Sequence, residues 1–316
     1  MYIDKNGNKW YKGNLHTHTT RSDGKLSPEA TKDFYRGEGY DFLALTDHWV
    51  YGEGSKNGVP ADDGMLILAG TEYNFNGEDV VAGVFHIVGI GCETDPMETI
   101  GRNSTAQETI DEINRRGGVA ILAHPAWSLN TYDMIMNFHG LAATEIYNSV
   151  SGAPRNCRPY SGDVVDQLAA RGHAIKLVSS DDTHFYLGEQ GLSYIMVNLG
   201  DKPLNRENVL EALRAGNYYA TQGPHYETNV ENRGNVDGKL NYGEYVVKCP
   251  IEDGVTRVTF YTNRPWENLR CVFADKEPLT EARCPIDRND TFIRAELQTA
   301  AGKKGWSQIT LLDPLK

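Results

Sequence analysis

Short apolar runs that end in polar, ligand-type side chains occupy the first two thirds of this chain. They alternate with helical segments such as residues 27–39, where Ser27 and Pro28 mark a helix start. This alternation is typical of a mainly parallel α/β sheet or barrel. Packing does not require a polar residue at so many strand ends, so we expect these side chains to meet at the carboxyl face of the strands. The runs are DFLALTDH (41–48), MLILAGTEY (65–73), GVAILAHP (118–125), LAATEIYN (141–148) and AIKLVSSDDTH (174–184).

The pattern changes near residue 222. Helical periodicity stops, and short alternating runs such as YVVKCPI (245–251) follow, separated by glycine, asparagine and aspartate turns. Such runs predict a small antiparallel β-sandwich. We therefore expect two domains, 1–222 and 223–316. Only His225 offers a ligand beyond residue 222, so the first domain is expected to hold any metal by itself.

Charge and cysteine content limit the function classes. The 316-residue chain has a formal net charge of −12, which disfavours a basic face for duplex nucleic acid. We find no apolar run near the roughly 20 residues that cross a bilayer, so no membrane partner is expected. The five cysteines are odd in number and form no CxxC pair, which favours a reducing compartment, the cytoplasm.

Histidines and carboxylates form the candidate site. In the segment GNLHTHTTRSDG (13–24), His16 and His18 are two residues apart, so both imidazoles point to the same face of a strand. That geometry suits two ligands of one metal ion. A carboxylate at a strand end, as at Glu72, can bridge two ions. His86 lies inside an apolar run, and a structural or supporting role is expected for it. The remaining candidates are Asp23, Asp47, His48, His124, Asp182 and His184.

Taken together and in this order, HxH with SDG, TDH, a strand-end glutamate, AHP and DxH resemble the PHP (polymerase and histidinol phosphatase) family of metal-dependent phosphoesterases. The resemblance covers residues from about 11 to 222. It implies a distorted seven-stranded (β/α)7 barrel with a trinuclear metal site. The implied ligands are His16, His18, Glu72 and Asp182 for a first ion, Glu72 and His124 for a second, and Asp23, His48 and His184 for a third.

One position departs from the family pattern. Many trinuclear members have a histidine on the strand after AHP, whereas this strand reads TEIYN, with Glu145 and Asn148. We expect Asn148 or Glu145 to help hold the second ion, and the amide oxygen of Asn148 would be a weak ligand. A neutral amide binds these metals less strongly than imidazole, so the second ion is expected to be the most labile.

The implied chemistry is hydrolysis of phosphate mono- or diesters of a small phosphorylated substrate. Mixed imidazole and carboxylate ligands suit two or three Zn, Mn or Fe ions. Clustered ions can turn a bridging water into hydroxide and neutralise charge on the phosphoryl oxygens. The catalytic candidates are Glu72, Asp182, His184 and Arg21. Arg155 and Arg158 are the candidates for clamping phosphate.

Two other functions stay open. An amidohydrolase would share the HxH motif and the barrel but would cleave C–N bonds, usually with a carboxylated lysine as the metal bridge. Glu72 fills the bridging position better, and no strand end offers a lysine. A degenerate barrel with a binding β-domain is the other alternative, which the nearly complete ligand set argues against.

Overall fold

The computed structural model of the chain describes residues 1–4, 7–75, 83–236, 239–266 and 270–313. It is a mixed α/β fold with many strands and few helices. Strands β1–β10 are Tyr2–Ile3, Lys9–Asn14, Phe42–Ala44, Leu66–Leu68, Gly70–Phe75, Phe85–Ile90, Val119–Leu122, Leu141–Asn148, Lys176–Ser180 and Tyr194–Gly200. Helices α1–α5 are Pro28–Gly37, Ala106–Arg115, Tyr132–Ile135, Gly162–Ala169 and Arg206–Ala215. Short 3-10 turns occur at Lys56–Gly58, Pro96–Glu98 and Ile251–Asp253.

The chain divides into two compact units, and the first comprises residues 1–164 and 178–219. Its strands form two sheets. In one, β2, β3 and β4 are parallel neighbours, and β10 pairs antiparallel with β2. The other has the order β5-β6-β7-β8-β9. Single bridges join the sheets at Thr17–Thr183 and at His48–Glu72. Strand β6 departs from the parallel arrangement that the alternation predicts, because it runs antiparallel to both neighbours.

Apolar side chains from both sheets of the first unit pack into one core. Phe42 comes from β3, Val88 from β6, Ile121 from β7, Val178 from β9 and Ile195 from β10, and all belong to one buried cluster. Shared burial fixes the strands relative to each other, since loss of any contact would leave apolar surface unpaired. The strand ends are therefore held at defined positions.

Helix α1 begins as the sequence predicts. The Ser27 side chain accepts a hydrogen bond from the backbone N–H of Ala30, and Pro28 occupies the first helical position. The helix buries Thr31 and Tyr35. This start signal lies in the local sequence, which explains why it could be predicted without knowledge of the fold.

The second unit comprises residues 165–177 and 220–316. Strands β11–β21 are Tyr218–Thr221, Glu227–Glu231, Gly234–Val236, Lys239–Asn241, Glu244–Lys248, Val255–Thr262, Cys271–Phe273, Glu281–Pro285, Phe292–Thr299, Lys304–Trp306 and Thr310–Leu311. The pairings of this unit are antiparallel, in sheets β12-β15-β18 and β17-β16-β19-β20. The ring of Tyr245, on β15, lies 6.3 Å from that of Phe260, on β16. Among the described residues, no helix is long and apolar enough to cross a membrane.

Residues 165–177 fold with the second unit although they follow β8 in the chain and include the first two residues of β9. Buried Arg294 donates two hydrogen bonds to Asp166, at 2.6 and 2.7 Å, and its guanidinium lies 3.9 Å from the centre of the Tyr261 ring. The Gln308 side chain accepts a hydrogen bond from the Leu177 backbone N–H at 2.7 Å and donates one to the Leu177 carbonyl oxygen at 2.8 Å. A chain ending near residue 222 would lose both anchors.

We predict that Arg294→Met lowers the free energy of unfolding by about 3 kcal/mol, because it leaves a largely buried carboxylate without its cation. Arg283→Met is the matched control. Arg283 contacts Glu231, Glu244 and Glu281 at a more exposed position, so its loss should cost at most about 1 kcal/mol. Urea unfolding followed by circular dichroism measures both. Equal losses in the two variants would show that the Arg294 pair does not anchor residues 165–177.

Candidate metal centre

The polar residues predicted at the strand ends gather at one place in the first unit. His16 and His18 follow β2, and His48 follows β3. Glu72 lies within β5, while Asp182 and His184 follow β9. Close ligand atoms form three groups: His16, His18, Glu72 and Asp182; His18, Asp23, His48 and His184; and His48, Glu72 and His86.

The first group surrounds one point in the buried interior. The Glu72 Oε2 atom lies 3.2 Å from His16 Nε2 and 3.0 Å from His18 Nε2. The Asp182 Oδ1 atom lies 3.2 and 3.1 Å from the same two nitrogens. Ligand atoms that bind one transition-metal ion at about 2.1 Å lie about 3.0 to 3.4 Å from one another. The spacing of this group therefore fits a single ion.

Two buried atoms of the centre make no hydrogen bond with any described residue. They are Asp182 Oδ1 and His48 Nδ1. In addition, the Nε2 atoms of His16 and His18 lie only 3.2 Å apart. Buried polar atoms without partners are costly, and a cation between such atoms removes the cost. The residues present thus fit a bound divalent metal ion.

The other oxygen of Glu72 faces a second pair of histidines. Its Oε1 atom lies 2.8 Å from His86 Nδ1 and 3.4 Å from His124 Nε2. The rings of His86 and His124 are 4.8 Å apart. Glu72 therefore presents one oxygen to each of two histidine sets, which is the arrangement a bridging carboxylate needs.

His86 is a candidate ligand to which the sequence pattern assigned only a structural or supporting role. His86 is the second residue of β6, and a parallel strand would place it at the far edge of the sheet. Because β6 runs antiparallel, its first residues lie beside the carboxyl ends of its neighbours, and His86 pairs with Asn74. The dipeptide Asn76-Gly77 between the two apolar runs is a hairpin signal that could have revealed this. Residues 76–82 themselves lie outside the described part.

The group that contains Asp23, His18, His48 and His184 is the most accessible. Asp23 Oδ1 lies 3.4 Å from His184 Nε2 and 3.5 Å from His18 Nδ1, and Asp23 Oδ2 lies 3.9 Å from His48 Nε2. The Asp23 side chain is 56% exposed, whereas that of Glu72 is 1% exposed. Burial raises the pKa of Asp23, but the hydrogen bond from His184 and the positive charge of His184 lower this pKa by more. The Asp23 carboxyl therefore stays ionised. An accessible anion beside three imidazoles leaves room for substrate.

The second ring nitrogen of most candidate ligands has its own partner. His16 Nδ1 is 2.8 Å from Glu145 Oε1, and His184 Nδ1 is 2.8 Å from the Asp182 carbonyl oxygen. His124 Nδ1 is 3.1 Å from Ser128 Oγ. Such partners fix the orientation and tautomer of an imidazole, so that the other nitrogen faces the metal.

Asn148 does not offer its oxygen to the centre. Its Oδ1 atom accepts hydrogen bonds from Ser151 N at 3.1 Å and Ser151 Oγ at 2.8 Å. Its Nδ2 atom donates to Glu145 at 2.7 Å and to Asp182 Oδ2 at 3.1 Å. If the Asn148 amide were flipped, its oxygen would face the carboxylates of Glu145 and Asp182, and the hydrogen bond from the Ser151 backbone N–H would be lost. The hydrogen-bond network therefore fixes the orientation of the amide. Asn148 therefore positions Asp182 instead of binding metal.

Glu145 is likewise occupied. Besides His16 and Asn148, it accepts a hydrogen bond from the backbone N–H of His124 at 2.8 Å. The carboxylate thus orients one histidine and anchors the backbone of another. His86, whose Nδ1 lies 2.8 Å from Glu72 Oε1, is a further imidazole near the bridging candidate that the expectation of a weakly held second ion did not include.

The loop that carries Asp23 is held by Asp47. The Asp47 carboxylate accepts hydrogen bonds from the backbone and side chain of Thr19, at 2.7 and 2.8 Å, and from Ser22 Oγ at 2.8 Å. Gly24 passes so close to the His18 backbone that a Cβ atom there would meet it at 2.4 Å. Asp47 therefore supports the site and does not serve as a ligand, and the loop requires glycine at position 24.

Two candidate ligands occupy strained backbone conformations. His124 has φ 25° and Asp182 has φ 51°, in a region that non-glycine residues rarely adopt. The Asp182 backbone N–H donates to the His16 carbonyl at 3.0 Å, which holds this conformation. Strain of this kind concentrates at functional sites, where surrounding contacts stabilise it.

The charge of the centre favours cations. Burial opposes ionisation of Glu72, but the charges of His16 and His48 hold its pKa well below its usual value. Burial lowers the pKa of His18, but the neighbouring carboxylates of Asp182 and Glu72 raise it to about 9. The ionised carboxylates therefore raise the pKa of His16 and of His18 and draw protons onto these two imidazoles when no metal is bound.

A cavity of about 180 Å³ opens beside the ligand candidates. Its lining includes Trp127, Asn156 and Phe185 together with Asp23 and His184. Of the predicted arginines, Arg155 stacks on Phe185, with the guanidinium 3.8 Å from the ring centre. Arg21 and Arg158 are exposed and do not line this cavity.

Comparison with known proteins supports the fold. A two-domain protein from Bacteroides vulgatus, described as containing a predicted PHP-like metal-dependent phosphoesterase, is similar over 98% of both chains, with 14% identity and a TM-score of 0.51. The resemblance to the PHP family is therefore confirmed at the level of the two-domain fold. No protein-family model and no curated protein matches the chain.

Two other solved structures are more distant. An amidohydrolase from Chromobacterium violaceum, with bound sulfate and no metal, has a TM-score of 0.42 and 18% identity over 64% of this chain and 96% of that chain. A lesion-specific endonuclease from Pyrococcus furiosus has a TM-score of 0.44 and 14% identity over 66% and 56%. At these scores the likeness carries no argument about activity.

We predict that metal affinity rises with pH. Metal ions bind neutral imidazole, and His18 has a pKa of about 9 in the metal-free protein, so binding near neutral pH must release protons. Calorimetric titration with Mn in buffers of different ionisation enthalpy measures the release. Affinity should increase from about pH 6 to about pH 8. An affinity that does not change over this range would contradict the proposed ligands.

Proposed function

We propose that the protein hydrolyses phosphate mono- or diesters with two or three divalent ions bound at this centre. The observation that carries the proposal is the position of Glu72. Its two carboxylate oxygens face different histidine sets, His16 and His18 on one side, His86 and His124 on the other. A shared carboxylate holds two cations near each other, which is the distinctive requirement of two-metal phosphoryl chemistry.

When bound, the ions would activate water and neutralise charge on the phosphoryl oxygens. The chain's own residues supply the rest. We assign Glu72 and Asp182 to holding neighbouring ions and His184 to the accessible side of the centre. Arg21, on the loop that carries Asp23, is our candidate for balancing charge on the substrate, and Arg158 stays a candidate for phosphate binding.

The cavity composition favours phosphate esters over C–N substrates. Its described lining contains no lysine, so the carboxylated lysine that usually bridges amidohydrolase metals has no counterpart there. Glu72 occupies the bridging position instead. The alternative of a degenerate barrel is disfavoured because the ligand atoms converge at metal-binding distances.

Several finer assignments belong to the same proposal. We propose that residues 1–222 form a distorted (β/α)7 barrel and that residues 223–316 form a sandwich without ligands of its own. We also propose Zn, Mn or Fe as the metals and a small phosphorylated molecule, not duplex nucleic acid, as the substrate. The five free cysteines favour the cytoplasm as the site of action.

The test is hydrolysis of an aryl phosphate by the purified protein. Treatment with a chelator should abolish activity, and Mn or Zn should restore it. Glu72→Gln should lower kcat by at least about a hundredfold, because loss of the bridging charge separates the ions that act on one water. His173→Ala, at an exposed position, should retain activity.

Full activity of the chelated protein would rule out a metal-dependent reaction. Equal losses in the Glu72 and His173 variants would show that the site lies elsewhere. A panel with amides and a DNA oligonucleotide beside the monoesters and diesters separates the remaining substrate classes. Turnover of amides alone would replace the proposed function with C–N hydrolysis.

A further inference from the structure

Arg155 differs from most described arginines in this acidic chain. The chain has 43 aspartates and glutamates against 31 lysines and arginines. Many of its arginines contact a carboxylate: Arg36, Arg116, Arg206, Arg264, Arg283 and Arg294. The Arg155 guanidinium makes no hydrogen bond or ion pair with any described residue. It lies instead 3.8 Å from the centre of the Phe185 ring. Its N–H donors are therefore available to a ligand.

Phe185 connects this free guanidinium to the candidate metal centre. The ring lines the cavity, and it stacks on the imidazole of His184 with 5.4 Å between centres. Arg155 itself is not among the lining residues. The guanidinium thus contacts a residue of the cavity wall, and the same ring contacts a candidate metal ligand.

The loop that carries Arg155 is fixed in place. The next residue, Asn156, lines the cavity and accepts a hydrogen bond from Trp127 Nε1 at 3.1 Å. Asn156 also donates to the Val150 carbonyl at 2.9 Å and, from its backbone, to the Gly152 carbonyl at 2.8 Å. A donor held in position before binding loses less entropy when its ligand arrives.

The size of the cavity determines which part of a substrate reaches Arg155. At about 180 Å³ it is smaller than the roughly 300 to 1,000 Å³ of sites that enclose whole small molecules. It can enclose a phosphoryl group near the ligand residues, while the leaving group extends to the mouth. Arg155 is therefore placed to meet the leaving group, not the phosphate that reacts.

We propose that Arg155 binds a second anionic group, a carboxylate or a phosphate, on the leaving group of the substrate. The proposal rests on the proposed phosphoesterase function and assigns its substrate class: esters whose leaving group is itself anionic. The planar guanidinium can donate two parallel hydrogen bonds to either anion. Its contact with Phe185 leaves its N–H edges for this purpose.

The test compares matched esters on the metal-loaded protein. The three positional isomers of carboxyphenyl phosphate are measured against the corresponding carboxamides, which have similar shape but no charge, and against phenylene bisphosphates. We expect kcat/KM for at least one carboxylate to exceed that of its carboxamide by roughly fivefold, mainly through KM. The preference should shrink as salt is added. The bisphosphates show whether phosphate serves as well as carboxylate.

Arg155→Gln should abolish the preference, and Arg155→Lys should retain part of it. Arg102→Gln is the matched control. Arg102 is also exposed and also stacks on an aromatic ring, that of Trp49 at 5.1 Å, but Trp49 does not line the cavity. The control should keep the preference. Loss of the preference in both the Arg155→Gln and the Arg102→Gln variant would indicate a general charge effect and overturn the assignment to Arg155.

Binding of non-hydrolysable analogues separates this proposal from the proposed function. Carboxyphenylphosphonates should bind more tightly than phenylphosphonate in an Arg155-dependent manner. If they do so while no ester is hydrolysed, the phosphoesterase function fails and the anion subsite stands. If esters are hydrolysed without any charge preference, the subsite is wrong and the function stands.

Discussion

The candidate metal centre depends on one buried group, the carboxylate of Glu72. It is 1% exposed, and its described contacts are imidazoles: His16, His18 and His48 at Oε2, His86 and His124 at Oε1. No lysine or arginine among the described residues neutralises it. A buried anion costs several kcal/mol unless it is paired. Bound cations would stabilise it, so metal binding and stability of the folded state should be linked at this residue.

This constraint explains features of the surrounding fold. The histidines come from different strand ends, so those ends must converge on the carboxylate, and the shared apolar core holds them there. Strain at His124 and Asp182 is tolerated because neighbouring groups fix their backbones, as the His16 carbonyl does for Asp182 and the Glu145 carboxylate does for His124. His124 and Asp182, which carry candidate ligands, therefore depart from regular strand geometry.

The sequence predicted those parts of the site that depend on local spacing. His16 and His18 share a face because they alternate on one extended segment, and a helix start such as Ser27 needs only its neighbours. His86 could not be placed the same way, because its location depends on the direction of β6. The amide of Asn148 was assigned wrongly, since its orientation follows from contacts with Ser151 and Glu145. Residues 165–177 show a helical pattern that does not reveal which core they join.

The central claim is that one carboxylate is shared between two metal ions. The most direct test is a crystal structure of the protein grown with Mn, with anomalous diffraction collected near the Mn absorption edge. We predict two anomalous peaks at about 2.1 to 2.3 Å from the carboxylate, one at each oxygen of Glu72. The first would also contact His16 and His18, and the second His86 and His124. A Glu72 side chain with no peak beside it, or with one ion bound by both oxygens, would contradict the account.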